Sequence, residues 1–383
     1  NLRAKDSIGG YNIISIADNK ATYHTRRPLS HTEASWLSVP LVNHGFGKEA
    51  GKYKRPDFSV NARKDAAVEL AWSFQVNSDL GAGFARYKDV VITGNTAGDI
   101  FAINLHTGKE AWTFRTGGKV YSTPAVWKNT VVVGSSDGFI YGLNAANGAL
   151  RWKVETAKAV LGSPVIAQGI AFIGGSDGSF RALDVASGKQ KWVFNQLKNF
   201  VSTKPTVYQG KVIFGDWGNG FYALDIRTGA LRWTWDNGHQ NRMFSAAACY
   251  PVAVNDRVFV VAPDRYMTAL SAKTGQVIWR EKKDAIRVRE SMGLSTDGQL
   301  AYVKTMDGQL LGISTRSDSM DVAWRSALQL PYELTPSAIE SRGDQVFVPS
   351  HSGLLSSVDA KSGQVRWQYK ISNSMVNPIF VVA

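Results

Sequence analysis

The sequence predicts an all-β fold, an eight-bladed β-propeller of four-stranded antiparallel blades, with seven blades as the alternative count. Three observations carry this. Eight tryptophans, Trp72, Trp112, Trp152, Trp192, Trp233, Trp279, Trp324 and Trp367, recur at spacings of 40, 40, 40, 41, 46, 45 and 43 residues. Around each lies one recurring stretch, as in SPVIAQGIAFIGGSDGSFRALDVASGKQKW and KPTVYQGKVIFGDWGNGFYALDIRTGALRW. Each stretch divides into four short apolar runs bounded by Gly and Asp-Gly turns, and no sustained helical period is visible. A solenoid of helices would need amphipathic helices at this period. Four-strand units repeating every 40 to 46 residues are the signature of a propeller.

Within the unit ending at Trp192, a first strand over Ser163–Ala167 meets a turn at Gln168-Gly169. An alternating run, Ile170 to Gly174, reaches a hairpin turn at Asp177-Gly178. A third strand over Ser179–Asp184 ends at Ser187-Gly188, and the fourth strand carries Trp192. Seven units are complete. The tail Met375 to Val382 reads as the first strand of an eighth unit, and VELAWSFQV around Trp72 as its last. Its middle strands are expected from the N-terminus, GYNIISIAD and KATYHTRR, so that both chain ends close the ring and remove its open edges. The expected organisation is an N-terminal segment, 1–67, which lends strands to the closing blade and holds a loop-rich insertion, followed by a propeller over 68–383.

Composition narrows the function. The chain of 383 residues carries 44 Lys+Arg against 31 Asp+Glu, a formal +13, yet 44% of it is hydrophobic. That is enough apolar surface for a large core and excludes a disordered chain. No apolar run approaches the roughly 18 residues needed to span a bilayer. The single cysteine, Cys249, excludes an internal disulfide and a Cys-cluster metal site, and its apolar neighbours read as a buried structural thiol. Basic residues such as Lys109, Lys153, Lys189 and Arg232 are spread over the fourth strands without interleaved aromatics, so nucleic acid is not an expected partner. Weak peripheral attraction to anionic membranes stays open. The sequence starts at Asn1 with no charged-then-apolar leader, so any signal peptide is expected to have been removed.

The run Ala182-Leu183-Asp184-Val185-Ala186-Ser187-Gly188-Lys189-Gln190-Lys191-Trp192, with its copies ALDIRTGALRW and AINLHTGKEAW, resembles the tryptophan-docking motif of quinoprotein-type (PQQ-like) β-propellers. In six units a glycine precedes the tryptophan by four residues: Gly108, Gly148, Gly188, Gly229, Gly275 and Gly363. The unit ending at Trp324 departs, with Ser317-Asp318 at that turn. The family includes PQQ-dependent alcohol dehydrogenases and the lipoprotein propeller of the outer-membrane assembly machine. The resemblance implies a bacterial protein exported to the periplasm or cell surface. GYNIISIADNKATYHTRRPL is also similar to the end of a calcineurin-like metallophosphoesterase domain, which would make this chain the propeller half of a fusion. His24, His31 and His44 read as scattered loop histidines and no metal site is expected.

The family's enzymes hold the quinone against a disulfide ring of adjacent cysteines, with calcium and an aspartate base. A lone Cys249 cannot form that ring, so the expectation is no cofactor, with PQQ and calcium as the alternative. Asp137-Gly138, Asp177-Gly178, Asp297-Gly298 and Asp307-Gly308 lack the alternating oxygen ligands calcium requires and read as hairpin turns. The candidate ligand site comes from the two units that break the pattern, ending at Trp279 and Trp324. Arg242, Asp264, Arg265, Arg289, Glu290 and Lys304 fall at first-strand starts and hairpin turns, which share one mouth of the channel. They suit an anionic ligand or serve as inter-blade salt bridges. Asp216, Trp217 and His351 hold equivalent hairpin positions as weaker candidates. The leading reading is a non-catalytic scaffold that binds a protein partner or an anionic small ligand. The alternatives are a quinoprotein dehydrogenase and an accessory propeller of a metallophosphoesterase.

Overall fold

A computed structural model describes residues 11–27, 30–41, 68–283, 286–330, 333, 336–371, 375–376 and 379–382. The chain divides into two compact units, 1–58 and 59–383. In the first, β1 (Tyr11–Ala17), β2 (Lys20–Arg27) and β3 (Ser30–Pro40) form a three-stranded antiparallel sheet in the order β1-β2-β3. Asp18 and Asn19 join β1 to β2 with positive φ at both, 48° and 56°, the backbone a two-residue hairpin needs. The expectation placed β1 and β2 inside the closing blade. Here β1 pairs with β2, and β2 also with β3. The physical reason is length: strands of seven, eight and eleven residues match one another, not the five- or six-residue middle strands of the repeat. His24 lies on β2, whereas His44 falls outside the described residues, as do all of residues 42–67 of the segment expected to hold the insertion.

The second unit is the propeller. Seven four-stranded antiparallel sheets, each ordered first to fourth strand in sequence, span 85–115, 125–155, 165–194, 206–235, 252–281, 288–325 and 340–370; we number them blades 1 to 7. The turns fall where the repeat puts them. In blade 3 the strands run Val165–Ala167, Ile170–Gly174, Phe180–Asp184 and Gln190–Phe194. One expectation is corrected. Ile170–Gly174 does not alternate, since four of its five residues are buried, and Thr130–Gly134 of blade 2 is buried throughout. Each blade packs on both faces, so its middle strands read as continuous apolar runs. The core therefore lies between blades. Phe172, Trp192, Phe214 and Leu224 join blades 3 and 4, and Tyr302, Trp324, Val346 and Val358 join blades 6 and 7.

The repeated tryptophan explains the period. Trp152 donates its indole N–H to the carbonyl of Val185 in the next blade at 2.9 Å, and Trp192 to Ile226 at 3.0 Å. Gly188 has φ of 72°, and a Cβ there would come within 2.7 Å of the Trp152 ring. The glycine thus meets two demands, a left-handed turn and room for an aromatic ring. The departing turn keeps the bond: Trp279 donates to Ser317 O at 3.1 Å. An eighth position is marked at both ends. Trp72 bonds Leu105 O at 2.6 Å, and Phe74 and Val76 pack with it on Val91, Phe101 and Ile103 of blade 1. The tail is anchored by the Val376 N–H on Ser350 O at 3.1 Å.

Candidate functional site

The hairpin between second and third strands and the linker into each first strand lie close together, and backbone bonds tie them. Ser136 N–H reaches Lys119 O at 2.9 Å, and Ser176 N–H reaches Ala159 O at 2.8 Å. Every candidate residue except Lys304 lies on such a hairpin or linker, or at a first-strand start. What differs is whether its polar atoms are free.

Asp216 is fully buried. Its carboxylate accepts the N–H groups of Lys198, Asn199, Gly218 and Gly220 at 2.8 to 3.0 Å and the Tyr222 hydroxyl at 3.1 Å. Five donors saturate it, so it holds its own hairpin and offers nothing to a ligand. Trp217 beside it donates to Ser202 Oγ at 2.9 Å and stacks on Phe200. Lys304 was expected at the mouth. Instead it closes the second strand of blade 6, 1% exposed, bonded to Glu333 at 3.0 Å, Ser337 Oγ at 3.1 Å and Pro349 O at 2.8 Å. A long side chain starting in the interior finds its partners there. Burial pushes its ammonium below the usual lysine range while Glu333 works to restore it. Glu333 also accepts the His351 N–H at 3.0 Å, and so orders that hairpin.

The remaining charges group around blades 5 and 6. Asp264 pairs with Arg280 at 2.7 Å, and Arg280 lies over the Tyr266 ring at 4.2 Å. Arg289 Nε stands 3.1 Å from Glu290, whose carboxyl is 1% exposed and raised by burial, against the lowering pull of Arg289. Arg287 grips Asp307 with two nitrogens, and the charge of Arg265 also bears on Asp307. Arg265 holds a φ of 70° at its hairpin. Each acid at this mouth therefore has its cation, and the structure brings Arg289 to Glu290 and Asp264 to Arg280. Arg242 is apart from these pairs, exposed on the linker between blades 4 and 5. Beside it Met243 is 64% and Phe244 36% exposed, with His239 packed on the Phe244 ring at 4.7 Å. Sequence reasoning did not single out Arg280, Glu333, Met243 or Phe244. The signal for the last two was present, as apolar residues in the longest polar linker.

The residues do not fit a quinone held against a disulfide ring. Cys249 is a single buried thiol beside Met292, and burial pushes its thiol up to about 12. The hairpin aspartates are equally committed: Asp137 accepts from Gly117 and Phe139 N–H and from the Tyr141 hydroxyl. Among the described residues no three His, Cys, Asp or Glu side chains group as metal ligands, and no helix is long and apolar enough to cross a membrane.

The family model described as "Outer membrane protein assembly factor BamB" matches at residues 57–192, 128–236, 201–329 and 234–380. Outer membrane protein assembly factor BamB of Burkholderia pseudomallei (strain K96243) is 29% identical over 120 residues, 31% of this chain and 29% of that protein. The aligned stretch is thus less than a third of that relative. Among solved structures, BamB from Moraxella catarrhalis matches with a TM-score of 0.65 at 19% identity, covering 81% of this chain and 94% of that one. The computationally designed Ika8 protein matches at 0.69 and 17%, covering 80% and 92%. The quinohemoprotein alcohol dehydrogenase from Comamonas testosteroni matches at 0.66 and 14%, covering 81% and 70%. At these identities the likeness is one of fold.

Proposed function

The chain belongs to the outer membrane protein assembly factor BamB family, and on that premise we propose that it is a non-catalytic protein-interaction scaffold, acting in the periplasm. One observation carries the reading. The acids of the mouth each face a cation from within it, while the linker between blades 4 and 5 presents Arg242, Met243 and Phe244 to solvent. Aromatic, Met and Arg side chains on a projecting loop are the composition that protein interfaces concentrate. The reading includes no quinone and no metal, and the dehydrogenases share only the fold.

A photo-crosslinking residue at position 243, in cells that make the protein, tests this. A discrete crosslinked partner is expected, weakened at least tenfold by Phe244→Glu and unaffected by Arg265→Ala with Arg289→Ala. Loss with the arginine pair but not with Phe244→Glu would transfer the function to an anion site. A titration with PQQ and calcium is expected to leave tryptophan fluorescence unchanged. Saturable quenching with dye-linked alcohol oxidation would make the chain an enzyme.

A further inference from the structure

In each blade the first-to-second and third-to-fourth turns come together at one end, opposite the hairpins and linkers described above. Backbone bonds tie them: Ala145 N–H reaches Asn129 O at 2.9 Å, Val185 N–H reaches Gly169 O at 3.0 Å and Ile226 N–H reaches Gly210 O at 3.1 Å. Charge is unevenly placed on this face. In blades 1 to 4 its turns and their flanking residues (86–90, 104–111, 126–130, 144–151, 166–170, 184–191, 207–211 and 225–232) hold ten Lys and Arg against four Asp and Glu. The equivalent stretches of blades 5 to 7 (253–257, 271–278, 293–300, 314–323, 341–345 and 359–366) hold six against six. The opposite end of blades 1 to 4 (79–84, 94–100, 115–124, 134–140, 155–164, 174–181, 194–205 and 215–222) also holds six against six. The excess of cations therefore belongs to one face of four consecutive blades.

The acids of that face are largely engaged. Lys191 and Arg232 take Asp184 and Asp225 at 3.6 and 2.7 Å, and His106 stands 3.5 Å from Asp89. Lys128, Lys189 and Arg227 are exposed and, among the described residues, have no acid partner. Apolar side chains stand among these cations. Trp127 ends the first strand of blade 2 and is 39% exposed. Leu150 and Leu231 open the fourth strands of blades 2 and 4 and are 48% and 43% exposed. Between blades 3 and 4 the face is notched by a cavity of about 570 Å³, lined by Gln168, Gln209, Lys211, Asp225, Arg227 and Arg232. Asp225 is spent on Arg232 and on its own turn, so Lys211 and Arg227 set the charge of the notch.

We propose that this face of blades 1 to 4 docks on an anionic phospholipid membrane. A lipid surface supplies negative charge over an area, which is what cations spread around an arc of four blades match. Trp127, Leu150 and Leu231 reach the interfacial layer, where tryptophan sits by preference, and the notch takes a headgroup phosphate on Lys211 and Arg227. A nucleic-acid strand would instead need a row of aromatic stacking platforms along a groove, and one exposed tryptophan beside two leucines is not such a row. The linker that presents Met243 and Phe244 joins a fourth strand to a first. It therefore lies at the other end of the blades and stays open to a protein partner while this face is on the membrane.

Co-sedimentation of the full chain with vesicles of equal parts phosphatidylglycerol and phosphatidylcholine tests this. Binding is expected to these and not to phosphatidylcholine alone, and should fall steeply above about 0.1 M salt, as the reach of a charge drops below roughly 10 Å. Lys128→Gln with Lys211→Gln and Arg227→Gln should weaken it at least tenfold. The first of these keeps its turn, because Gln168 and Gln209 hold the same left-handed place in blades 3 and 4, with φ of 53° and 46°. The matched triple Lys273→Gln, Arg316→Gln and Lys361→Gln in blades 5 to 7 should weaken it less than twofold. Equal losses in the two triples, at unchanged unfolding midpoints, would overturn the proposal, because net charge alone would then account for binding. Brominated phosphatidylcholine in the same vesicles should quench a part of the tryptophan emission that Trp127→Phe removes. Quenching left whole in that variant would overturn the contact at this face. A full chain that ignores the vesicles but binds polyglutamate, weakened by the first triple alone, would overturn the membrane in favour of an acidic protein.

Discussion

Blade 3 and blade 6 share four strands and one fold, yet they place their charges differently. Blade 3 keeps Asp177 and Arg181 at its own hairpin, paired at 2.5 Å within a few residues of each other. Blade 6 carries Lys304 on a middle strand and neutralises it with Glu333, from the linker into blade 7. Blade 3 thus satisfies this pair locally, whereas blade 6 spends its buried lysine between blades. A charge between blades can hold a seam only as long as its partner stays.

The largest effect should come from breaking that seam. Lys304→Met leaves Glu333 buried and uncompensated, which typically costs about 3–5 kcal/mol. Denaturant unfolding should show that loss, and adding Glu333→Leu should recover part of it. Arg181→Met in blade 3 should cost less, because Asp177 still accepts the N–H groups of Ser179 and Ala157 at 3.1 and 3.3 Å. An equal loss at both sites would erase the distinction between local and inter-blade pairing.

A smaller effect separates the two demands on the turn glycines. Gly188 and Gly178 have nearly the same φ, 72° and 78°. A Cβ at Gly188 would meet the Trp152 ring at 2.7 Å, whereas nothing lies within 4 Å at Gly178. Gly178→Ala should therefore cost only the left-handed backbone, about 1 kcal/mol. Gly188→Ala adds an overpacked seam, about 1–3 kcal/mol more. Thermal unfolding of the two single variants measures the difference, and equal shifts would show that the ring gives way freely.

That comparison also shows what the sequence made legible. The tryptophan period and the glycine four residues ahead of it specify the strand order, the turns and the indole contact. Both are local and repeated, so each copy reinforces the others. The mouth was less legible. Position placed Arg289 next to Glu290, but no local signal says that Asp264 pairs with Arg280 on its own fourth strand or that Lys304 points inward to Glu333. Such pairs depend on side-chain direction, between strands of one blade for Asp264 and Arg280 and between blades for Lys304 and Glu333. The fate of β1 and β2 was hidden for a related reason, since a short apolar run fits more than one sheet.

The smallest effect contrasts blades by one atom. The turn after the third strand is closed by Asn104 and Asn144 in blades 1 and 2, and by Asp184, Asp225 and Asp359 in blades 3, 4 and 7. Each side chain accepts backbone N–H bonds two or three residues on, as Asn104 does from His106 and Thr107 at 3.0 Å and Asp225 from Arg227 and Thr228 at 2.9 and 3.0 Å. Only the aspartates titrate. Arg232 and these N–H groups hold the Asp225 carboxyl down at about 2, and hydrogen bonds also lower Asp184 and Asp359. A carboxyl depressed on folding contributes stability that is present above its ordinary value near 4 and lost as pH falls towards 2. Replacing the three aspartates with asparagine keeps the turn bonds and removes the proton uptake. The variant should thus lose less stability than the parent between pH 4 and 2, while losing its arginine pairs and a little stability at pH 7. These groups are close to solvent, where screening keeps each contribution small. Parallel acid limbs for the two proteins, followed by tryptophan fluorescence, would show that the asparagine and aspartate turns are equivalent and that acid sensitivity arises at the buried pairs of blades 5 to 7.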